Sequence, residues 1–351
     1  MSMATIAQIK KLILELGFAP PSGYRKAELL AYYDGLVKMK QGGILYAEHK
    51  EEKLSYTPVM PDANISLKEH IKIHGWGVAK IPDFNFIEIR NELLGWLHEV
   101  CDRFNINDMT TWTRNNIPYN IHGIFKQWVG HLEPIWKTRE ACIPIFKDLW
   151  DTDNLLSSFD GFCLLNNKKR DTSWIHCDQG RSVTDFACLQ GVVNLYPNGP
   201  NDGGTILMDG SHNKFKEYLD KYSADGIKPF YRIHTSNSVL KDCKVIKPCL
   251  AAGEILLWDS RVFHCNTPPT SNNPRMCVYV SMMPRSGATQ DDLNKRKKLY
   301  EEGRMTGHWC YGDFMAVNSK DVNPMYTKDI PKPNDIKIAT LNETRKKLIG
   351  Y

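Results

Sequence analysis

At 351 residues, with 42% hydrophobic and 24% charged residues, the chain is long enough for one large globular domain or two modest ones. A formal charge of +5 permits anionic partners without requiring them. None of the ten cysteines forms a Cys-x-x-Cys pair, which argues against a zinc finger or a thioredoxin-like site, and no apolar run has the length of a membrane span. With no apolar leader ahead of the first amphipathic stretch, unpaired thiols point to an intracellular setting, cytoplasmic or nuclear.

Taken in order, residues 1–45 read as a helical hairpin. Ile6, Ile9, Leu12, Ile13 and Leu16 fall at helical spacing. Gly17 and the Pro20-Pro21-Ser22-Gly23 turn separate them from a second helix carrying Leu29, Leu30, Tyr33 and Leu36. The hairpin resembles a SAP-type DNA-binding motif. Lys10, Lys11, Arg25, Lys26, Lys38 and Lys40 lie near it, so two readings of residues 5–40 stand together: nucleic-acid contact, or an interaction hairpin with a solvated basic face. Residues 46–65 read as a polar linker.

The main domain is expected over 66–312. Ser66 can cap a helix ending at His74, and Val78 to Ile81 suit a strand. Helices follow from Phe86 to Phe104 and from Pro134 through Trp150. The pattern then changes to short strands. Phe162 to Leu165, Trp174 to Asp178, Ala187 to Leu195, Gly203 to Met208, Lys244 to Ile246, Glu254 to Trp258 and Met276 to Met283 are the candidates. Strands of this length between Gly and Pro turns predict a sandwich or barrel. A helix from Asp291 to Glu302 precedes an irregular C-terminal extension, 313–351.

Within the second of these strands lies His176-Cys177-Asp178. Side chains at i and i+2 of a strand share a face, so His176 and Asp178 offer an imidazole nitrogen and a carboxylate side by side. His264 is the candidate third ligand. Two histidines and one carboxylate on one face of an iron ion leave its other positions open for substrate and O2. Arg275, after His264, offers a fork for a carboxylate. His308, in a polar and aromatic loop, can line the site, although a lone loop histidine is more often structural.

Around these residues the chain resembles the phytanoyl-CoA dioxygenase family of Fe(II)/2-oxoglutarate oxygenases. The resemblance rests on His176-Cys177-Asp178, on Asn201-Asp202-Gly203-Gly204 through Gly210-Ser211-His212, on Gly253-Glu254 through Trp258-Asp259-Ser260-Arg261 to His264, and on Arg275. Glu254 and Asp209 depart from the usual residues. It covers roughly 66–312 and implies an α+β fold: a double-stranded β-helix (jelly roll, cupin-like) backed by helices, with the hairpin outside it. It further implies iron held by His176, Asp178 and His264, with Arg275 on the distal carboxylate of 2-oxoglutarate and Gln190 and Asn266 facing the cosubstrate. For Gln190, pairing within the barrel is an equal alternative. The implied cofactors are Fe(II), 2-oxoglutarate and O2, and the implied reaction is hydroxylation of a C–H substrate, small or lipid-like. The Asp178 carboxylate favours hydroxylation over halogenation. The alternative is a silent barrel scaffold, or a nucleic-acid-associated protein acting through the hairpin. Asp259 and Asp185 are candidates to orient the imidazoles.

Overall fold

A computed structural model describes residues 4–15, 25–41, 55–62, 64–113, 116–118, 120–121, 123–125, 128–166, 175–180, 183–222, 231–233, 238–317 and 337–351. The turn expected at 20–23 and Trp174 lie outside them.

Two helices open the chain, α1 (Ile6–Glu15) and α2 (Lys26–Gln41), and share a small core of Ile9, Ile13, Leu29 and Tyr33. Within the stretch read as linker, β1 (Thr57–Val59) pairs in parallel with a strand near residue 246. Its Pro58 suits a strand at a sheet edge, where no ladder donor is needed. Next comes α3 (Leu67–His74). The Ser66 side chain accepts from the Glu69 N–H, and Gly75 ends the helix at φ 81°. A side chain at Gly75 would meet His212 and Val262 at 2.5 Å. β2 (Trp76–Lys80) and α4 (Phe86–Val100) follow. α4 stops short of the expected Phe104, because Cys101 turns extended and the Phe104 carbonyl folds back onto the His98 ring at 2.7 Å.

Beyond β3 (Asn120–Ile121) and β4 (Ile124–Phe125) lies α5 (Glu133–Trp150). The strands that build the barrel are β5 (Leu155–Ser157), β6 (Phe162–Leu165), β7 (His176–Cys177), β8 (Leu189–Asn194) and β9 (Gly204–Met208). After α6 (Phe215–Tyr222) come β10 (Tyr231–Arg232), β11 (Val245–Pro248), β12 (Glu254–Asp259), β13 (His264–Thr267), β14 (Arg275–Tyr279) and β15 (Met282–Pro284). The single strand expected from Met276 to Met283 is therefore two, with β15 leaving β14 to pair β5. α7 (Gln290–Glu301) and α8 (Glu343–Ile349) complete the chain.

One sheet runs β1-β11-β9-β13-β7-β10 and the other β2-β12-β8-β14-β6-β4-β3. The chain crosses between them from β1 to β2, β6 to β7, β7 to β8, β8 to β9, β11 to β12, β12 to β13 and β13 to β14. This alternation winds the strands into a double-stranded β-helix, the jelly-roll core of an α+β fold.

Strand periodicity sorts the side chains into layers. Val192, Leu256, Trp258, Cys277 and Tyr279 meet Leu207 and Val262 inside the barrel. Their neighbours Val193, Ile255, Leu257, Met276 and Val278 point outward, under α4 and α5. On the other sheet Cys177, Ile206, Met208 and Cys265 point outward, beneath α6. Burial on both faces explains why these strands read as unbroken apolar runs.

The C-terminal segment is tied down by arginines. Buried Arg296 donates to the carbonyls of Ser157, Cys310, Leu348 and Ile349 at 2.6–2.9 Å. Arg345 of α8 pairs with Glu133 and Glu140 of α5 at 2.7 Å. The tail expected to be irregular thus contains a docked helix. All ten cysteines are free thiols, and no helix among the described residues is long and apolar enough to cross a membrane.

Candidate metal centre

His264, the first residue of β13, stands directly opposite His176 of β7. The flanking Cys177 and Cys265 pack outward, so both imidazoles point into the barrel. Asp178 follows at the bend after β7 and keeps the inward direction. Ligand atoms from His176, Asp178 and His264 all lie within 4.8 Å of one another. His264 Nε2 is 3.3 Å from Asp178 Oδ2, and His176 Nε2 is 3.6 Å from Oδ1.

Burial pushes the Asp178 carboxyl up, but the imidazoles of His176 and His264 outweigh it and hold the group well below the usual carboxylate range. It is an anion at neutral pH. His264 Nδ1 lies 2.9 Å from the Val262 carbonyl. A carbonyl only accepts, so Nδ1 carries the proton and Nε2 presents its lone pair to the centre. That carbonyl, and not Asp259, orients the ring. Asp259 is gripped by Arg261, with Nη2 to Oδ2 at 2.6 Å.

Two imidazole nitrogens and one carboxylate oxygen are a donor set suited to a borderline divalent ion such as Fe(II), bound on one side only. Buried polar atoms nearby also await partners. Gln190 Oε1, Trp258 Nε1 and Tyr279 Oη are each buried without a hydrogen bond, and the residues carrying them share inward-facing register positions with Val192, Leu256 and Cys277. An interior with such orphans suits a polar guest.

Gln190, on β8, turns its amide to Asp178: Nε2 donates to Oδ2 at 3.0 Å. Arg275 opens β14 on the same inward row as Cys277 and Tyr279. Its guanidinium is buried, donates to Thr205 Oγ1 at 3.1 Å, and has no carboxylate partner among the described residues. Asn266 shares the inward row of β13 with His264 and sits opposite Thr205. Tyr279 Oη lies beside its amide without forming a well-shaped hydrogen bond.

Sequence reading leaves His308 between lining the site and a structural role. Its Nδ1 lies 2.7 Å from Oδ2 of the fully buried Asp160, and its Nε2 lies 3.6 Å from Asp178 Oδ2. The adjacent Trp309 donates from Nε1 to the Asp178 carbonyl at 3.0 Å. No local pattern announces either contact. The only hint was the polar and aromatic make-up of residues 303–309.

No family model matches the chain. An Aspergillus versicolor protein named "Ava biosynthesis cluster protein O" is 32% identical over 223 residues, covering 59% of this chain and 72% of that one. A Dictyostelium discoideum protein named "Putative phytanoyl-CoA dioxygenase" is 29% identical over 109 residues, 31% of each chain. Among solved structures, the epimerase SnoN in complex with Fe3+, alpha ketoglutarate and nogalamycin RO superposes with a TM-score of 0.47 at 13% identity, over 80% of this chain and 95% of that one.

Proposed function

We propose that this chain, related to the Aspergillus versicolor protein and similar to the phytanoyl-CoA dioxygenases, is an Fe(II)/2-oxoglutarate-dependent oxygenase that hydroxylates a C–H bond of a small or lipid-like molecule, releasing succinate and CO2. The observation that carries the reading is the convergence of His176, Asp178 and His264 on one point of the barrel interior. A barrel kept only as a scaffold has no use for a buried carboxylate between two imidazoles. Burying such groups costs several kcal/mol, roughly, unless something binds them.

His176, Asp178 and His264 would hold the iron, and Arg275 would take the distal carboxylate of 2-oxoglutarate. Fe(II) with 2-oxoglutarate, when bound, supplies the O2-driven oxidation of cosubstrate and substrate. The chain's own residues supply the rest. Asp178 brings a fixed negative charge to balance a divalent ion. The Val262 carbonyl keeps His264 in the tautomer that can bind. Arg275, charged and buried, offers a planar fork, with Thr205 holding one of its N–H groups in place. Asn266 lines the same interior. The apolar wall of Val192, Leu207, Leu256 and Trp258 keeps bulk water away from the reacting groups.

The test is to incubate the protein with Fe(II), 2-oxoglutarate and O2 against a panel of small and lipid-like molecules, and to seek a product heavier by one oxygen formed in step with succinate. Substrate-stimulated succinate with an unoxygenated product would contradict hydroxylation.

A further inference from the structure

The contacts of His308 reach beyond the three ligand side chains. Asp160 is hydrogen-bonded through both its main chain and its side chain. Its carbonyl accepts from buried Arg139 Nη2 at 2.7 Å, and its Oδ1 accepts from the Gly161 N–H at 2.9 Å. Its remaining oxygen, Oδ2, meets His308 Nδ1 at 2.7 Å. The backbone around His308 is hydrogen-bonded likewise: the Gly307 N–H donates to the Ala316 carbonyl at 2.8 Å, and the Cys310 carbonyl accepts from Arg296 at 2.6 Å. The imidazole therefore stands between the Asp160 carboxylate and Asp178, with Nε2 3.6 Å from Asp178 Oδ2. Gln190 holds the same oxygen at 3.0 Å, and Trp309 holds the Asp178 main chain.

We infer that His308, anchored on Asp160, is a positioning residue that sets the orientation of the Asp178 carboxylate for the metal. The inference rests on the metal-site reading above. Asp178 sits at a bend just past the end of a two-residue strand, so sheet pairing alone does not hold its side chain. A monodentate carboxylate binds well only when its lone pairs face the ion, and neighbours that fix that angle act on affinity without touching the metal. His308 meets Asp178 from a segment remote in sequence, which couples the C-terminal layer to the centre.

The test is titration of the metal-free protein with Mn(II) alone, followed by calorimetry, in wild type, H308A, H308Q and D160N, with thermal unfolding of each metal-free form alongside. H308A and D160N are expected to bind Mn(II) about 10- to 100-fold more weakly. H308Q, which keeps an N–H near the same place, is expected to recover part of the loss. Unfolding midpoints should stay near that of wild type. Mn(II) affinity in H308A within about twofold of wild type overturns the inference, as does equal weakness of H308A and H308Q with lowered midpoints in both. Should H308A fail to fold, H308Q and D160N decide by the same criterion. If wild type itself does not bind Mn(II), the metal-site reading fails and this inference fails with it.

Discussion

His176 and His264 are register partners on adjacent antiparallel strands, their ring centroids 4.4 Å apart. Because strand side chains alternate faces, a slip of one residue would turn His264 out of the barrel. The pairing therefore sets the site. Excess Mn(II) is expected to stabilise the wild-type fold by about 2.7 kcal/mol at a hundredfold excess over Kd. H264A should fold but lose that stabilisation, which thermal unfolding with and without Mn(II) will check.

Arg275 is buried, charged and unmatched by a carboxylate among the described residues. A charge-assisted fork contributes on the order of 1.5–3 kcal/mol, or about 10- to 100-fold in affinity. R275A is expected to raise KM for 2-oxoglutarate by that factor and to leave Mn(II) affinity nearly unchanged. R275K should recover little, since an ammonium cannot reproduce the planar fork. Steady-state kinetics with varied 2-oxoglutarate provides the readout.

Gln190 gives its amide N–H to the same carboxylate oxygen that faces His264 and His308. Q190A should weaken Mn(II) binding by about tenfold. Q190E places a second carboxylate against Asp178 and raises its proton affinity. Binding in Q190E should therefore weaken more steeply than in Q190A as pH falls from 7 to 5.

Buried His131 shows how acid should act on the fold. Its Nε2–H donates to the Arg304 carbonyl at 2.7 Å, and burial depresses its imidazole to about 3. The unfolded chain takes up the proton near pH 6.5, whereas the folded chain refuses it. The stabilisation from a neutral His131 is thus complete above about pH 6.5. It is lost as pH falls from there toward 3, at up to about 1.4 kcal/mol per unit. H131Q keeps an N–H donor near the Nε2 position without titrating. Its denaturant-derived stability should fall less steeply than that of wild type between pH 6.5 and 4.

Much of this was legible in the sequence, and the exceptions share a cause. Phe162–Leu165, Glu254–Trp258 and the His-x-Asp pair could be read because strand periodicity is local. The split of β14 from β15 was hidden, since an unbroken apolar run carries no mark where its partner changes. β13 reads His-Cys-Asn-Thr, polar on its inner row because it lines the site, and so lacked a strand signal. α8 owes its docking to Arg345, Glu133, Glu140 and Arg296, and β1 to pairing with β11. Neither arrangement is visible in its own segment. The Asp160–His308–Asp178 contacts also join distant parts of the chain, beyond the reach of local pattern.

The most direct test of the central claim is Fe(II)-dependent succinate formation from 2-oxoglutarate, measured in parallel on wild type and D178A. Wild type should release succinate, even without added substrate, only when Fe(II) and O2 are both present, and D178A should fall to background. Equal succinate release by D178A, or none from an iron-loaded wild-type protein supplied with cosubstrate and O2, would contradict the assignment of His176, Asp178 and His264 as the working centre.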